Sequence, residues 1–267
     1  MSRLLVKPHG ESGELHAVTP QSADWHYVGF AVHKLKVGET ISEKTADQEC
    51  CLVLLTGKAT IRTSQEVFEQ LGSRMSVFEK IPPFSVYVPN EDEFVVTAET
   101  DLEIAICKAP GKGSHKARVI TPDQVGTEDR GSGAMSRRVH NILPETEPAD
   151  SLLVVEVYTD GGNWSSYPPH KHDRDNLPAE SYLEETYYHK VNPSQGYVMQ
   201  RVYNDSRTID EAIAVPNDHV VLVPEGYHPV GVPAGYESYY LNVMAGPTRV
   251  WKFHNDPEHE WLFQPVK

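Results

Sequence analysis

The amino-acid sequence predicts an all-β fold built as two β-barrels in tandem. Three observations carry that expectation: short apolar or alternating runs cut by Gly and Pro, little 3.6-residue periodicity, and stretches rich in Gly, Ser and charge near the middle of the chain. In the first half, Val28 to Val32, Cys51 to Leu55, Ala59 to Arg62, Ser85 to Val88 and Leu102 to Ile106 read as strands at antiparallel spacing. Ser151 to Tyr158, Glu185 to His189, Tyr197 to Tyr203, Val220 to Val223 and Tyr239 to Met244 repeat the theme in the second half. Between them, Gly111 to Ser114 and Gly126 to Gly133 read as linker, dividing the chain into residues 1–125 and 126–267. Pro122 to Val125, a capped turn, and Ser206 to Ala212 are the helical candidates.

At 267 residues either half is long enough to bury a core. The formal charge of −14 disfavours nucleic acid or an anionic membrane as partner, because either needs a basic face. An anionic small molecule stays open, since a buried guanidinium fork outweighs a screened distant field. The N-terminal residues lack the apolar core of a signal peptide, and no run approaches the roughly 20 residues of a membrane span, so a cytoplasmic protein is expected. Cys50, Cys51 and Cys107, an odd count in apolar surroundings, suit free buried thiols in a reducing compartment.

The stretch Tyr167-Pro168-Pro169-His170-Lys171-His172-Asp173 carries the chemistry. Two histidines one residue apart share a face of a β-strand, because side chains alternate with period two. A carboxylate from the next strand, at Glu184-Glu185, and His228 in the turn Pro224-Glu225-Gly226-Tyr227-His228-Pro229 would complete a set of three histidines and one carboxylate. Glu184 and Glu185 face opposite ways, so only one can point inward; Glu185 is preferred because it opens the alternation Glu185, Tyr187, His189. The expected ligands are therefore His170, His172, Glu185 and His228, around one divalent ion: zinc, with manganese or iron as alternatives. Thirteen histidines guarantee some coincidental spacing, and His9, His16, His33, His115 and His219 are given no role. The first half reads as a copy without ligands, since no His-x-His precedes Glu49; packing or a subunit interface is its expected role, and a homo-oligomer is compatible with it.

His-x-His, a Glu entering a strand and a Pro-x-Gly turn carrying a His together resemble the cupin metal motif, which implies two jelly-roll β-barrels, a bicupin. The longer strings Trp164 to Asp173, Leu183 to His189, Gln200 to Tyr203, Val221 to Val230 and Tyr240 to Pro247 resemble the 5-deoxyglucuronate isomerase family of bacterial inositol catabolism, which is similar to the 5-keto-4-deoxyuronate isomerases of pectin breakdown. The resemblance spans essentially the whole chain and is strongest in residues 160 to 250. It implies an aldose-ketose isomerisation, 5-deoxy-D-glucuronate to 5-dehydro-2-deoxy-D-gluconate, through a metal-bound enediolate. His189 and Tyr187 share the face of Glu185 and are the candidates for the base. Arg201 and Arg174 are the candidates to hold the uronate carboxylate, and Tyr240 and Asn242 to contact the sugar. A cupin dioxygenase using the same ligands with iron, and a non-catalytic sugar-binding bicupin, are the alternatives.

Overall fold

Val, Ile, Leu, Cys and Tyr fill the longest strands with almost no polar interruption, and such strands are stable only where both faces are covered. The computed structural model, which describes residues 2–263, shows how that is met. Gly13–Val18, Gly29–Leu35, Gln48–Thr56, Ser85–Val88, Leu102–Pro110 and Arg118–Ile120 form one six-stranded sheet, in the order 118–120, 85–88, 48–56, 102–110, 29–35, 13–18. A seven-stranded sheet runs 5–6, 219–223, 184–192, 237–245, 153–160, 137–143, 126–130. Six positions of the two orders correspond strand for strand.

Each large sheet faces two ways. One face of the first packs on a four-stranded sheet of Thr40–Lys44, Ala59–Thr63, Val67–Leu71 and Glu93–Ala98, enclosing Cys50, Leu52, Ile61, Val86, Val96 and Ile106. The second large sheet packs likewise on Trp164–Ser165, Tyr197–Tyr203, Asp210–Pro216 and Val230–Gly231, enclosing Val155, Tyr187, Val202, Val221 and Met244. The remaining faces of the two large sheets meet in a third core that includes Phe30, Val53, Tyr87 and Cys107 from one half and Tyr188, Val220, Tyr239 and Leu241 from the other. The all-β expectation holds, although each half is a large sheet against a small one rather than a closed ring of strands.

Every strand expected from the sequence lies within or overlaps a strand of the structure. Three differences have physical causes. Gly126–Arg130, expected as linker, is an edge strand paired with Arg137–Leu143; its polar residues are tolerated because four of its five are exposed. Ser206 to Ala212 is not helical. Asn204 ties the turn through Thr208 and Ile209, and Asp210–Pro216 then pairs with Tyr197–Tyr203. Leu5–Val6 pairs with Val221 and Val220, so residues from the span 1–125 also complete the second sheet.

Carboxylates bind the halves together. Glu184, fully buried, accepts the main-chain N–H groups of His26, Tyr27 and Val28 at 2.6, 2.7 and 3.1 Å. Glu49, at the matching place in the first half, accepts those of Asp150, Ser151 and Leu152 at 2.7, 2.6 and 2.6 Å, and the Tyr87 hydroxyl. Arg74 forks onto Glu156 with both bonds at 2.8 Å, and His140 adds a third contact at 2.7 Å. Those neighbours hold the Glu156 carboxyl at about 2 although burial alone would raise it. An amide at position 49 or 184 would turn an N–H toward N–H groups. Glu49→Gln and Glu184→Gln should each cost about 2–4 kcal/mol in urea unfolding; a loss under about 0.5 kcal/mol would mean that these contacts do not couple the halves.

Candidate metal centre and cleft

The strand Glu184–Asn192 sends its odd-numbered side chains into the second half's interior, so Glu185, Tyr187 and His189 form one inward row. Its neighbour Glu237–Ala245 pairs His189 with Tyr240 and Tyr187 with Asn242. His172 and His228 arrive from loops. Asp173 accepts the Gly226 N–H at 2.9 Å and thereby joins the His-x-His segment to the turn carrying His228. Gly226 has φ +91°, and a Cβ there would stand 2.4 Å from the Tyr203 carbonyl oxygen, so the turn requires glycine. Lys171, almost fully buried, points the opposite way from its two histidine neighbours and is held by Asp173 at 2.7 Å and Asp205 at 3.0 Å.

Donor atoms of His172, Glu185 and His228 lie within 4.8 Å of one another, and all three residues are buried. Main-chain carbonyls set both histidine tautomers. Nδ1–H of His172 donates to Leu183 O at 3.0 Å and that of His228 to Gly226 O at 2.8 Å, which leaves each neutral ring a lone pair on Nε2. Those atoms stand 3.1 and 3.2 Å from the same oxygen, Glu185 Oε2. Three lone-pair bearers converging in a buried place repel unless a cation lies among them, and the Nε2 of His228 makes no hydrogen bond. Donors on one ion at about 2.0–2.2 Å stand about 3.0–3.5 Å apart. The residues therefore fit a divalent metal.

Burial would raise the Glu185 carboxyl; protonated His228 and His172 rings hold it at about 2, and a cation lying among neutral rings would act in the same direction. The donor atoms of His170 are not part of that tight group, although its ring centroid, 5.1 Å from that of His228, is as near to it as the His172 ring at 5.2 Å; its other face packs on Phe253 at 4.6 Å. Burial, with His228 and His172 nearby, pushes its pKa well below the ordinary value. The chain after the second large sheet reinforces this corner, since His254–Asn255 pairs with His170–Lys171.

A cavity of about 30 Å³ beside the donors is lined by His170, Glu185, Tyr187, Tyr240, Asn242 and Ser166, among others. His170 and Arg137 also line an outer cleft of about 840 Å³ with Trp164, Tyr167 and Phe253. The Tyr187 hydroxyl meets Ser166 Oγ at 2.9 Å, and that oxygen lies 3.5 Å from the Tyr240 hydroxyl. Burial raises both phenols, so at neutral pH they keep their protons.

Four expected residues thus share this cavity with Glu185: Tyr187, Tyr240, Asn242 and His170. Others do not. His189 stacks behind Tyr187, gives its Nε2–H to Gln200 at 2.8 Å and is not among the cavity's lining residues. Arg201 points outward and forks onto Asp210 at 2.8 and 2.9 Å, while Arg174 pairs with Asp205 at 2.6 Å; both are exposed, with a carboxylate already in hand. The arginines lining the cavity are Arg130, paired with Glu128, and Arg137, which the sequence analysis did not single out. Its only signal was the alternation Arg137, Val139 at the start of a strand, and both residues line the cavity.

The KduI/IolB family matches residues 4–262, and the chain belongs to it. The 5-deoxy-glucuronate isomerase of Geobacillus kaustophilus is 63% identical over 266 residues, covering 99% of this chain and 96% of that protein. That of Bacillus subtilis strain 168 is 53% identical, covering 99% and 100%. The crystal structure of an IolB-like protein from Salmonella typhimurium LT2 matches with a TM-score of 0.97 at 53% identity, over 98% of this chain and 100% of that one. Oxalate decarboxylase of Lactobacillus farciminis matches with a TM-score of 0.67 at 11% identity, covering 96% and 89%, a likeness of fold alone.

Burial also fixes a pH response. It lowers the His189 pKa to about 4, with the Gln200 bond opposing. The unfolded chain takes up this proton near pH 6.5 and the folded chain only near 4, so the unfolded state binds more protons between those values. The contribution of His189 to stability should therefore fall by about 3 kcal/mol as pH drops from 6.5 to 4. His189→Gln should flatten that part of the profile by urea unfolding; an unchanged slope would place the response elsewhere.

Proposed function

We propose that this chain is a metal-dependent isomerase converting 5-deoxy-D-glucuronate to 5-dehydro-2-deoxy-D-gluconate. The observation that carries the reading is a buried three-donor cluster whose Glu185 shares one cavity with two protonated phenols, in a chain 63% identical over almost its whole length to a protein of that name. His172, Glu185 and His228 are the proposed ligands, with His170 as the fourth. A divalent ion held there would supply Lewis-acid stabilisation of negative charge on the substrate's oxygens. Zinc is the proposed ion, with manganese or iron as alternatives, because mixed nitrogen and oxygen donors select weakly among them.

The reaction moves one proton from the hydroxyl-bearing carbon to the aldehyde carbon and the proton of that hydroxyl to the former aldehyde oxygen, with no net redox change. Negative charge passes onto the two oxygens on the way. In this reading Tyr187 and Tyr240, as protonated phenols, donate hydrogen bonds where that charge grows, and Ser166, 2.9 and 3.5 Å from their hydroxyls, links them for proton exchange. Apolar walls from Val139 and Val157 limit competing water. We read residues 1–125 and 126–267 as two cupin-like units, the first supporting the second, in a cytoplasmic enzyme; among the described residues no helix is long and apolar enough to cross a membrane.

Chelation should abolish the isomerase activity, and adding back one equivalent of ion per chain should restore it. His172→Ala should weaken metal binding by about 100-fold or more and remove activity in step. Turnover that survives complete metal removal would reject the metal role, and oxygen uptake by iron-loaded protein without isomerisation would favour a dioxygenase.

A further inference from the structure

Buried cations in this acidic chain are matched with carboxylates: Arg74 with Glu156, Lys171 with Asp173, Lys190 with Glu103 and Asp218. Arg249 and Arg137 are largely buried without such a partner, and they differ in a telling way. Arg249 spends Nε, Nη1 and Nη2 on the main-chain carbonyls of Leu152, Glu145, Glu147, Leu143 and Pro144, so its guanidinium is saturated by the fold. Arg137 spends only Nη1, on the carbonyls of Met135 at 3.0 Å and Tyr167 at 3.3 Å. Its Nε and Nη2 have no hydrogen-bond partner among the described residues.

The free edge belongs to a residue that lines both the cavity and the outer cleft, as His170 does. Arg130 also lines the cavity, but it pairs with Glu128 and lies over the Trp251 ring. A partly desolvated guanidinium without a counter-ion is costly, and an arriving carboxylate relieves that cost. Nε and Nη2 form the side of the guanidinium that meets a carboxylate with two parallel bonds.

We propose that Arg137 receives the carboxylate of the substrate through Nε and Nη2, fixing the far end of the sugar acid while the aldehyde end lies at the His172, Glu185 and His228 donors. The assignment rests on the uronate reading above and replaces Arg201 and Arg174 in that role. It makes Arg137 the specificity determinant: the site selects an acid over the corresponding sugar alcohol end because only the acid neutralises this group.

The test compares 5-deoxy-D-glucuronate with 5-deoxy-D-glucose, in which a hydroxymethyl group replaces the carboxylate, using metal-loaded full-length protein. Arg137→Gln should lower kcat/KM for the uronate by about 100-fold, mainly through KM, and for the neutral sugar by no more than about threefold. Arg137→Lys should recover part of the loss, keeping charge but not the fork. Arg201→Ala should stay within about twofold of wild type on both substrates. Equal losses on both substrates, or a uronate preference that survives in Arg137→Gln, would overturn the assignment. Calorimetric binding of D-glucuronate separates the two levels. Arg137-dependent binding without any isomerisation would sink the isomerase reading and leave the anchor standing, whereas isomerisation with Arg137-independent binding would do the reverse.

Discussion

The reciprocal grip of Glu49 and Glu184 organises the rest of the molecule. Each carboxylate gathers three consecutive main-chain N–H groups from the segment leading into a strand of the other half. Bonds from charged acceptors are the stronger kind, and in a fully buried place they are costly to lose. Their position along the strand matters as much as their strength. Side chains alternate, so fixing Glu184 toward the other half fixes Glu185 toward the interior. A slip of one residue in either direction keeps a glutamate at only one of the two places: either Leu183 comes to face the three N–H groups, or Thr186 replaces the carboxylate at the donor cluster. Structural coupling and candidate chemistry are thus set by one register on adjacent residues.

A second constraint acts on the histidines. Neither His172 nor His228 lies on a long strand, yet both rings are aimed by main-chain carbonyls and their loops are joined through Asp173 and Gly226. The ionic pairs of Lys171 anchor the same loop from the far side. Pre-orienting donors in this way spends folding energy before any ion binds, so less is lost on binding. The site's electrostatics follow: one ionised carboxylate beside the histidine nitrogens, with phenols kept protonated by burial.

Much of this was legible in the sequence, for identifiable reasons. Long strands such as Gln48–Thr56 and Glu237–Ala245 announce themselves because both faces are buried. Short, exposed or alternating strands such as Gly126–Arg130 and Val67–Leu71 do not, because pairing rather than burial defines them. His172, His228 and the inward choice of Glu185 came from local spacing, which chain geometry transmits directly. The surroundings of the arginines were not legible, for the opposite reason. Whether a guanidinium is free or taken depends on partners elsewhere: Arg201 is forked by Asp210 across a hairpin, and Arg174 meets Asp205 from another loop. His189 had the right face but the wrong depth, which alternation alone does not report.

The first half shows why matching strand order does not make two equivalent sites. Its Glu49 keeps the coupling role, and the residue matching Glu185 is Cys50, enclosed with Leu52, Val86 and Ile106. Burial drives that thiol's pKa upward, so the thiolate needed for a metal ligand is strongly disfavoured there. The face toward the second half stays just as constrained in both copies, with Cys51 and Cys107 packed in the shared core and the Cys51 thiol pushed up to about 12. What the two halves retain in common is therefore the outer face that couples them, while the inner faces diverge into a dry core on one side and a polar cavity on the other. An apolar interior there contributes packing without desolvating charge, which leaves the second half free to bury the groups that chemistry requires.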